Sequence, residues 1–179
     1  MVPQTVWLFT SASNDVVPDA HIPQAAFRTL AAADRWVRTL KPSGMLTEYP
    51  MNIGVFEWAT ARGVFKPRRD DQRATPFIET FSDASQAHAH YELGELVSGC
   101  EQRGIPTEAT VVWAFNGRGR RGCFPSAVFD DQSRVEDWIA SIGASGTLTK
   151  LVIGDQGTSC DLAAALEFSA GRRVPEQRA

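Results

Sequence analysis

Apolar residues recur along this chain in two patterns, and each pattern occurs twice. The first is a short continuous run. Val6-Trp7-Leu8-Phe9 and Val111-Val112-Trp113-Ala114-Phe115 are aromatic and β-branched segments bounded by polar or glycine-rich stretches, which predicts buried strands. The second pattern has helical spacing. Val135, Trp138, Ile139 and Ile142 fall at i, i+3, i+4 and i+7, as do Ala33, Trp36, Val37 and Leu40, so each set forms one apolar stripe on a helix. Asp131 and Thr29 stand where the N-caps belong. A short strand ending at Phe27 or Phe129 precedes each helix, and the helices stop before Gly44 and Gly146. A third strand is predicted over residues 45–49 and 147–153. A second helix is predicted over Val55–Ala61 and over 159–168.

These matches keep their order and nearly their spacing. Trp7 and Trp113 lie 106 positions apart, whereas Phe27 and Phe129, Trp36 and Trp138, and Ser43-Gly44 and Ser145-Gly146 all lie 102 apart. Trp, Phe and Gly-x-Leu-Thr returning in order at nearly constant separation identify a tandem duplication, with a first loop four residues longer in the leading copy. The expected architecture is α+β: two β-β-α-β-α units related by a pseudo-twofold axis, with helices packed on one face of each sheet. The first module spans 5–83 and the second 109–169. Between them, 84–108 reads as a helical bridge with Tyr91, Leu93, Leu96 and Val97 as its apolar positions, and 170–179 reads as a flexible tail. Phe65-Lys66-Pro67-Arg68-Arg69-Asp70-Asp71 forms a charged turn, and Thr75-Pro76 opens a short helix.

Composition narrows the class. In 179 residues, 43% are hydrophobic and 22% charged, with 18 Lys+Arg against 21 Asp+Glu and a net charge of -3. That is enough apolar material for a core, and no run reaches the roughly 18–20 apolar residues that span a bilayer. No export signal is read at the N-terminus, and three cysteines without CxxC spacing suit a reducing compartment, so the expectation is a soluble cytoplasmic protein. The acidic balance argues against a nucleic-acid partner.

With both copies aligned, Leu46-Thr47-Glu48-Tyr49-Pro50, Gly54-Val55-Phe56-Glu57-Trp58-Ala59, Phe65-Lys66-Pro67 and His88-Ala89-His90-Tyr91-Glu92 of the first copy form one set of motifs. Val112-Trp113-Ala114-Phe115-Asn116-Gly117 and Phe124-Pro125-Ser126-Ala127-Val128-Phe129 of the second form the other. Together they resemble a family of small bacterial proteins of unknown function whose members usually carry one copy of the module. The resemblance covers most of residues 5–168 and implies no activity, cofactor or catalytic residue. In the second copy Tyr49-Pro50 has become Leu151-Val152 and Trp58 has become Cys160, or Asp161 with a one-residue gap, so the surface those aromatics form exists once per chain.

Candidate chemistry is sparse. His88 and His90 share one side of a strand but lie roughly 200° apart on a helix, and a zinc site would need a further ligand. Gly117, Gly119 and Gly122 reproduce G-x-G-x-x-G spacing, and Arg118, Arg120 and Arg121 could hold an anion, yet the following segment reads as a strand where a dinucleotide loop would open a helix. No Gly-x-Ser-x-Gly elbow is present, and only His21, His88 and His90 could act as bases. No catalytic residue, metal or cofactor is therefore assigned. The expected partner surface comprises Tyr49, Trp58, Phe65, Lys66, Gln86, His88, His90 and Tyr91.

Two functions remain open on these residues. One is a non-enzymatic protein-binding module, monomeric or homodimeric, of which an immunity protein neutralising a bacterial toxin is one form. The other is a phosphate- or nucleotide-binding protein or enzyme that uses the His88/His90 segment with the Arg118–Arg121 loop. A shared concave pocket would favour the second.

Overall fold

A computed structural model describes residues 2–11, 22–118, 124–154 and 162–175, with backbone alone for 162–165. In the leading half, β1 (Gln4–Ser11), β2 (Ala25–Phe27), α1 (Leu30–Leu40) and β3 (Gly44–Pro50) are followed by β4 (Ile53–Gly54) and α2 (Val55–Ala61). A 3-10 turn at Asp70–Arg73, α3 (Thr75–Ile78), and the strands β5 (His88–Glu92) and β6 (Glu95–Ser98) complete it. After β7 (Ile105–Pro106), the trailing half repeats the plan as β8 (Val111–Gly117), β9 (Ala127–Phe129), α4 (Gln132–Ile142), β10 (Gly146–Val152), β11 (Leu162–Ser169) and β12 (Arg172–Arg173).

Both halves build the same sheet. The first runs β2-β1-β3-β5-β6, with β7 alongside the start of β1; the second runs β9-β8-β10-β11-β12, with β4 of the leading half added beyond β9. Register coincides residue by residue: Trp7 lies opposite Phe27 and Glu48, and Trp113 opposite Phe129 and Lys150. The caps also match. Thr29 Oγ1 accepts from Ala32 N at 3.2 Å, and Asp131 Oδ1 accepts from Arg134 N at 3.0 Å, each satisfying a donor that the first helical turn leaves open.

Three expectations are corrected. Residues 84–108 are not a helical bridge, because β5 pairs with β3 and β6 with β5, which makes this stretch the outer hairpin of the first sheet. Of the second helix expected over 159–168, residues 159–161 lie outside the described residues and 162–168 form a strand. Leu162-Ala-Ala-Ala-Leu-Glu has a helix-favouring composition, but β11 runs antiparallel to β10 from Gly146–Phe168 to Leu151–Leu162, and sheet pairing overrides local propensity. The repeat is accordingly β-β-α-β-β-β, with α2 and α3 as an insertion in the leading copy. The tail expected from 170 begins instead as the turn into β12, whose Arg172 and Arg173 pair with Ser169 and Phe168; residues 176–179 lie outside the described residues.

Alternation along β1 and β8 divides the core into three clusters. Trp7 and Phe9 point to α1, where they meet Trp36 and Val37; Trp113 and Phe115 point to α4, where they meet Trp138 and Ile139. The opposite faces meet each other. Val6, Leu8, Ala26, Tyr49 and Met51 pack with their own equivalents Val112, Ala114, Val128, Leu151 and Ile153, giving the layer order helix, sheet, sheet, helix. The hydrogen bonds between the halves are reciprocal: Asn52 N donates to Val128 O at 2.8 Å, and Gly154 N, at the position equivalent to Asn52, donates to Ala26 O at 2.9 Å. Such a swap of equivalent contacts is the signature of an isologous, pseudo-twofold interface.

Candidate functional site

The structure disperses the residues expected at a partner surface. Tyr49, 1% exposed, belongs to the inter-sheet core, where burial pushes its phenol pKa well up, so it is a packing residue and not a contact residue. Phe65 is half-buried and joins Phe56, Phe77 and Phe81 in a cluster of ring contacts that closes one side of that core. Trp58 is also half-buried against it, with the Arg62 guanidinium 5.1 Å above its ring. Lys66 is exposed. Gln86 is buried: its Nε2 donates to Glu48 O at 3.1 Å, and its Oε1 accepts from Asp83 N at 3.2 Å. These contacts give it a structural task.

His88 and His90 lie on a strand, so their imidazoles share one face, with ring centroids 5.3 Å apart. That face is turned away from α1. His88 Nδ1 lies 2.9 Å from Gln86 O, and His90 is exposed. No group of three or more metal-ligating side chains occurs among the described residues. His90 lines a hollow of about 250 Å³ together with Met45 and Phe124, but Arg118 does not. Arg118 is exposed and pairs with Glu167 at 3.7 Å. The described parts of the two segments therefore do not converge on one pocket; Arg120 and Arg121 lie outside the described residues.

Tyr91 turns the other way. Its hydroxyl donates to Asp34 Oδ1 at 2.8 Å, and Arg38 Nε donates to Asp34 Oδ2 at 2.8 Å. Burial works to raise the Asp34 pKa, but the bonds from Arg38 and Tyr91 prevail and hold it below the usual carboxylate value. Between α1 and the β5–β6 hairpin this arrangement leaves a groove of about 630 Å³, lined by Leu30, Asp34, Ala89, Tyr91, Leu96 and Cys100.

The hairpin itself is the feature the sequence reading missed. Leu93 and Gly94 have φ of 50° and 83°, the two positive values of a type I′ turn, and a Cβ on Gly94 would come within 2.9 Å of Lys41 Cα. Leu93 N donates to Ser43 Oγ at 2.9 Å and Gly94 N to Pro42 O at 3.1 Å, which fixes the tip against the α1–β3 connection. Every residue of β6 is exposed. Leu96 is 47% exposed, Val97 65%, and Leu93 70%, with Leu40 nearby on α1 at 59%. The signal is a Leu-Gly turn between the alternating segment Ala-His-Ala-His-Tyr-Glu and a short segment with a β-branched residue, Glu-Leu-Val-Ser.

A second missed residue explains how the chain returns from β6. Glu48, 5% exposed, accepts hydrogen bonds from Thr5 Oγ1 at 2.8 Å, Gly104 N at 2.7 Å and Arg103 N at 2.9 Å. Its carboxylate is a clamp on residues 103–104. Lys150, its equivalent, instead places its ammonium 5.5 Å from the Trp113 ring.

No curated protein and no solved structure matches the chain. A family model does so twice, over residues 6–97 and 112–173, starting at equivalent positions in β1 and β8 and ending in the equivalent strands β6 and β12. The outer hairpin is thus part of the repeated unit, and the chain belongs, as a tandem duplication, to the family described as a domain of unknown function, DUF7710.

Proposed function

We propose that this protein is a non-enzymatic protein-binding module whose contact surface is the outer hairpin of the first sheet. The observation that carries this reading is the exposed edge strand β6, whose Leu96 and Val97, with Leu93 of the adjoining turn, are 47–70% exposed at the end of a sheet. Grouped exposed apolar side chains on an otherwise well-packed chain are characteristic of interaction surfaces. The net charge of -3 favours a basic partner, whose approach it would steer. Neutralising a toxin by covering its active site is one use such a surface would serve.

The test is size-exclusion chromatography with light scattering on the purified protein mixed with purified products of the adjacent genes. One of them is expected to co-elute, and the double variant Leu93→Ser/Val97→Ser is expected to release it while keeping the parent melting temperature. Failure to co-elute with any neighbour would count against the proposal. So would a complex indifferent to the double variant.

A further inference from the structure

The hairpin geometry points further, on the protein-binding reading, to the manner of recognition. We infer that β6 receives an extended segment of a partner protein as the next strand of the sheet, with alternate apolar side chains of that segment entering the groove beside α1 and a basic side chain facing the acidic rim.

The two-residue type I′ loop makes Glu92–Glu95 the hydrogen-bonded closing pair, so the next pair, Tyr91–Leu96, is of the non-hydrogen-bonded kind. At such a pair the backbone N–H and C=O of the outer residue point away from the hairpin. Leu96 therefore offers a donor and an acceptor to a further strand just before the bulge at Val97, where the register shifts so that His90 faces Ser98, and among the described residues none pairs with Leu96 on that side. Its side chain lies on the face of Tyr91, toward α1, and lines the 630 Å³ groove. A residue placed opposite Leu96 on an added strand would project its side chain to that same face and into that groove. Main-chain pairing supplies affinity in this mode, and the groove selects the side chains.

Charge decides between occupants. Glu92, Glu95 and Glu101 are exposed around the groove and the edge and outnumber the cations beside the hairpin, Arg38, which lies 3.9 Å from Glu95 and is already bonded to Asp34, and Lys41 at the tip. A second copy would bring this acidic set against itself, whereas a segment that carries Lys or Arg is complemented. The equivalent edge in the second sheet shows what blocks addition: Arg173 stands at the position of Leu96, and Pro175 follows two residues later.

The experiment is selection from a random linear dodecamer library displayed on phage against the immobilised full chain, followed by synthetic-peptide titration. Enriched peptides are expected to alternate apolar residues with at least one Lys or Arg, and to bind Leu96→Arg and Leu96→Pro at least about tenfold more weakly than the parent. L96R reproduces the second sheet's own edge residue, so it should fold, and circular dichroism with a melting curve establishes that for both variants. Enriched peptides that bind L96R as they bind the parent would overturn strand addition, as would the absence of any enriched peptide. A concentration-dependent dimer abolished by L96R would overturn the partner segment in favour of a second copy. Co-elution of an adjacent-gene product that persists in L96R would overturn strand addition while leaving the protein-binding reading standing.

Discussion

The outer hairpins of the two sheets share one scaffold and present different surfaces. In the first, Leu93 and Gly94 make the turn, and their amides donate to Ser43 Oγ and Pro42 O; in the second, Ala170 and Gly171 have φ of 46° and 75°, and their amides donate to Ser145 Oγ and Ala144 O. Ser43 and Ser145, and Pro42 and Ala144, are equivalent positions of the repeat. Duplication has preserved the backbone down to individual side-chain acceptors. Divergence is greatest in what the edge displays: Glu95-Leu96-Val97-Ser98, of which Glu95, Leu96 and Ser98 are paired and Val97 is bulged, in one sheet, and Arg172-Arg173 with a following Pro175 in the other. A two-residue, doubly charged, proline-ended edge resists pairing, whereas β6 leaves the Leu96 backbone and two apolar side chains open beside its single charge and bulge. The comparison separates scaffold from surface within a single chain, and the surface is where function would diverge.

The scaffold half of the comparison is broken most forcefully at the shared core. Leu8 and Leu151 are fully buried between the sheets and contributed by opposite halves. Leu8→Ala and Leu151→Ala should each cost about 2–5 kcal/mol, and chemical denaturation of both variants should remain a single transition, since each half leans on the other. Two resolved transitions, with one unmoved, would show that the halves fold independently. Next in size is a position where the copies have diverged. Glu48→Ala leaves the donors of Thr5, Arg103 and Gly104 unanswered and should cost about 1–3 kcal/mol. Lys150→Ala loses a cation–π contact of about 0.5–1 kcal/mol. Equal costs would mean that the clamp contributes nothing of its own. Smaller again are the caps: Thr29→Ala should lower stability by about 1 kcal/mol, and Asp131→Ala should lower it too, as expected of equivalent N-caps.

What the sequence displays follows from how local each signal is. The strands around Trp7 and Trp113, the capped helices and Val55–Ala61 are written in contiguous periodicity or in a side chain next to the amide it caps, and the structure places them accordingly. The copies taught most where both halves retained the signal. The hairpins were obscured for opposite reasons. In the second, Leu162–Ser169 takes its strand from pairing with β10 against its own helix-favouring composition. In the first, Ala89 and Tyr91 alternate inward as a strand requires, but Tyr91, Leu93, Leu96 and Val97 also fit helical spacing, and Leu93 occupies a positive-φ turn position that Asn or Asp usually announces. The candidate site was half legible for the same reason. Tyr91 and the two histidines stand out in the sequence, while Leu96, on the facing strand, acquires its meaning only from the pairing.

The mildest effect tests how the insertion of the first copy is tied to the second. Glu79 follows α3 and is 6% exposed; its Oε2 accepts from Ser145 N at 2.8 Å, just before β10. Burial raises its pKa above the ordinary 4.5, outweighing the Ser145 bond and the charge of Arg118. The folded protein thus holds this proton more tightly than the unfolded chain. Its contribution to stability is fully present below the unfolded value and is lost as pH rises through the folded one. Glu79→Gln keeps an amide oxygen for Ser145 N and removes the ionisation. The melting temperature of the variant relative to the parent should therefore be higher at pH 7 than at pH 4, by less than the loss caused by removing either cap. A difference of the opposite sign would mean that the carboxylate is preferred in the folded state, so that the insertion would be held to the second copy by charge and not merely by a hydrogen bond.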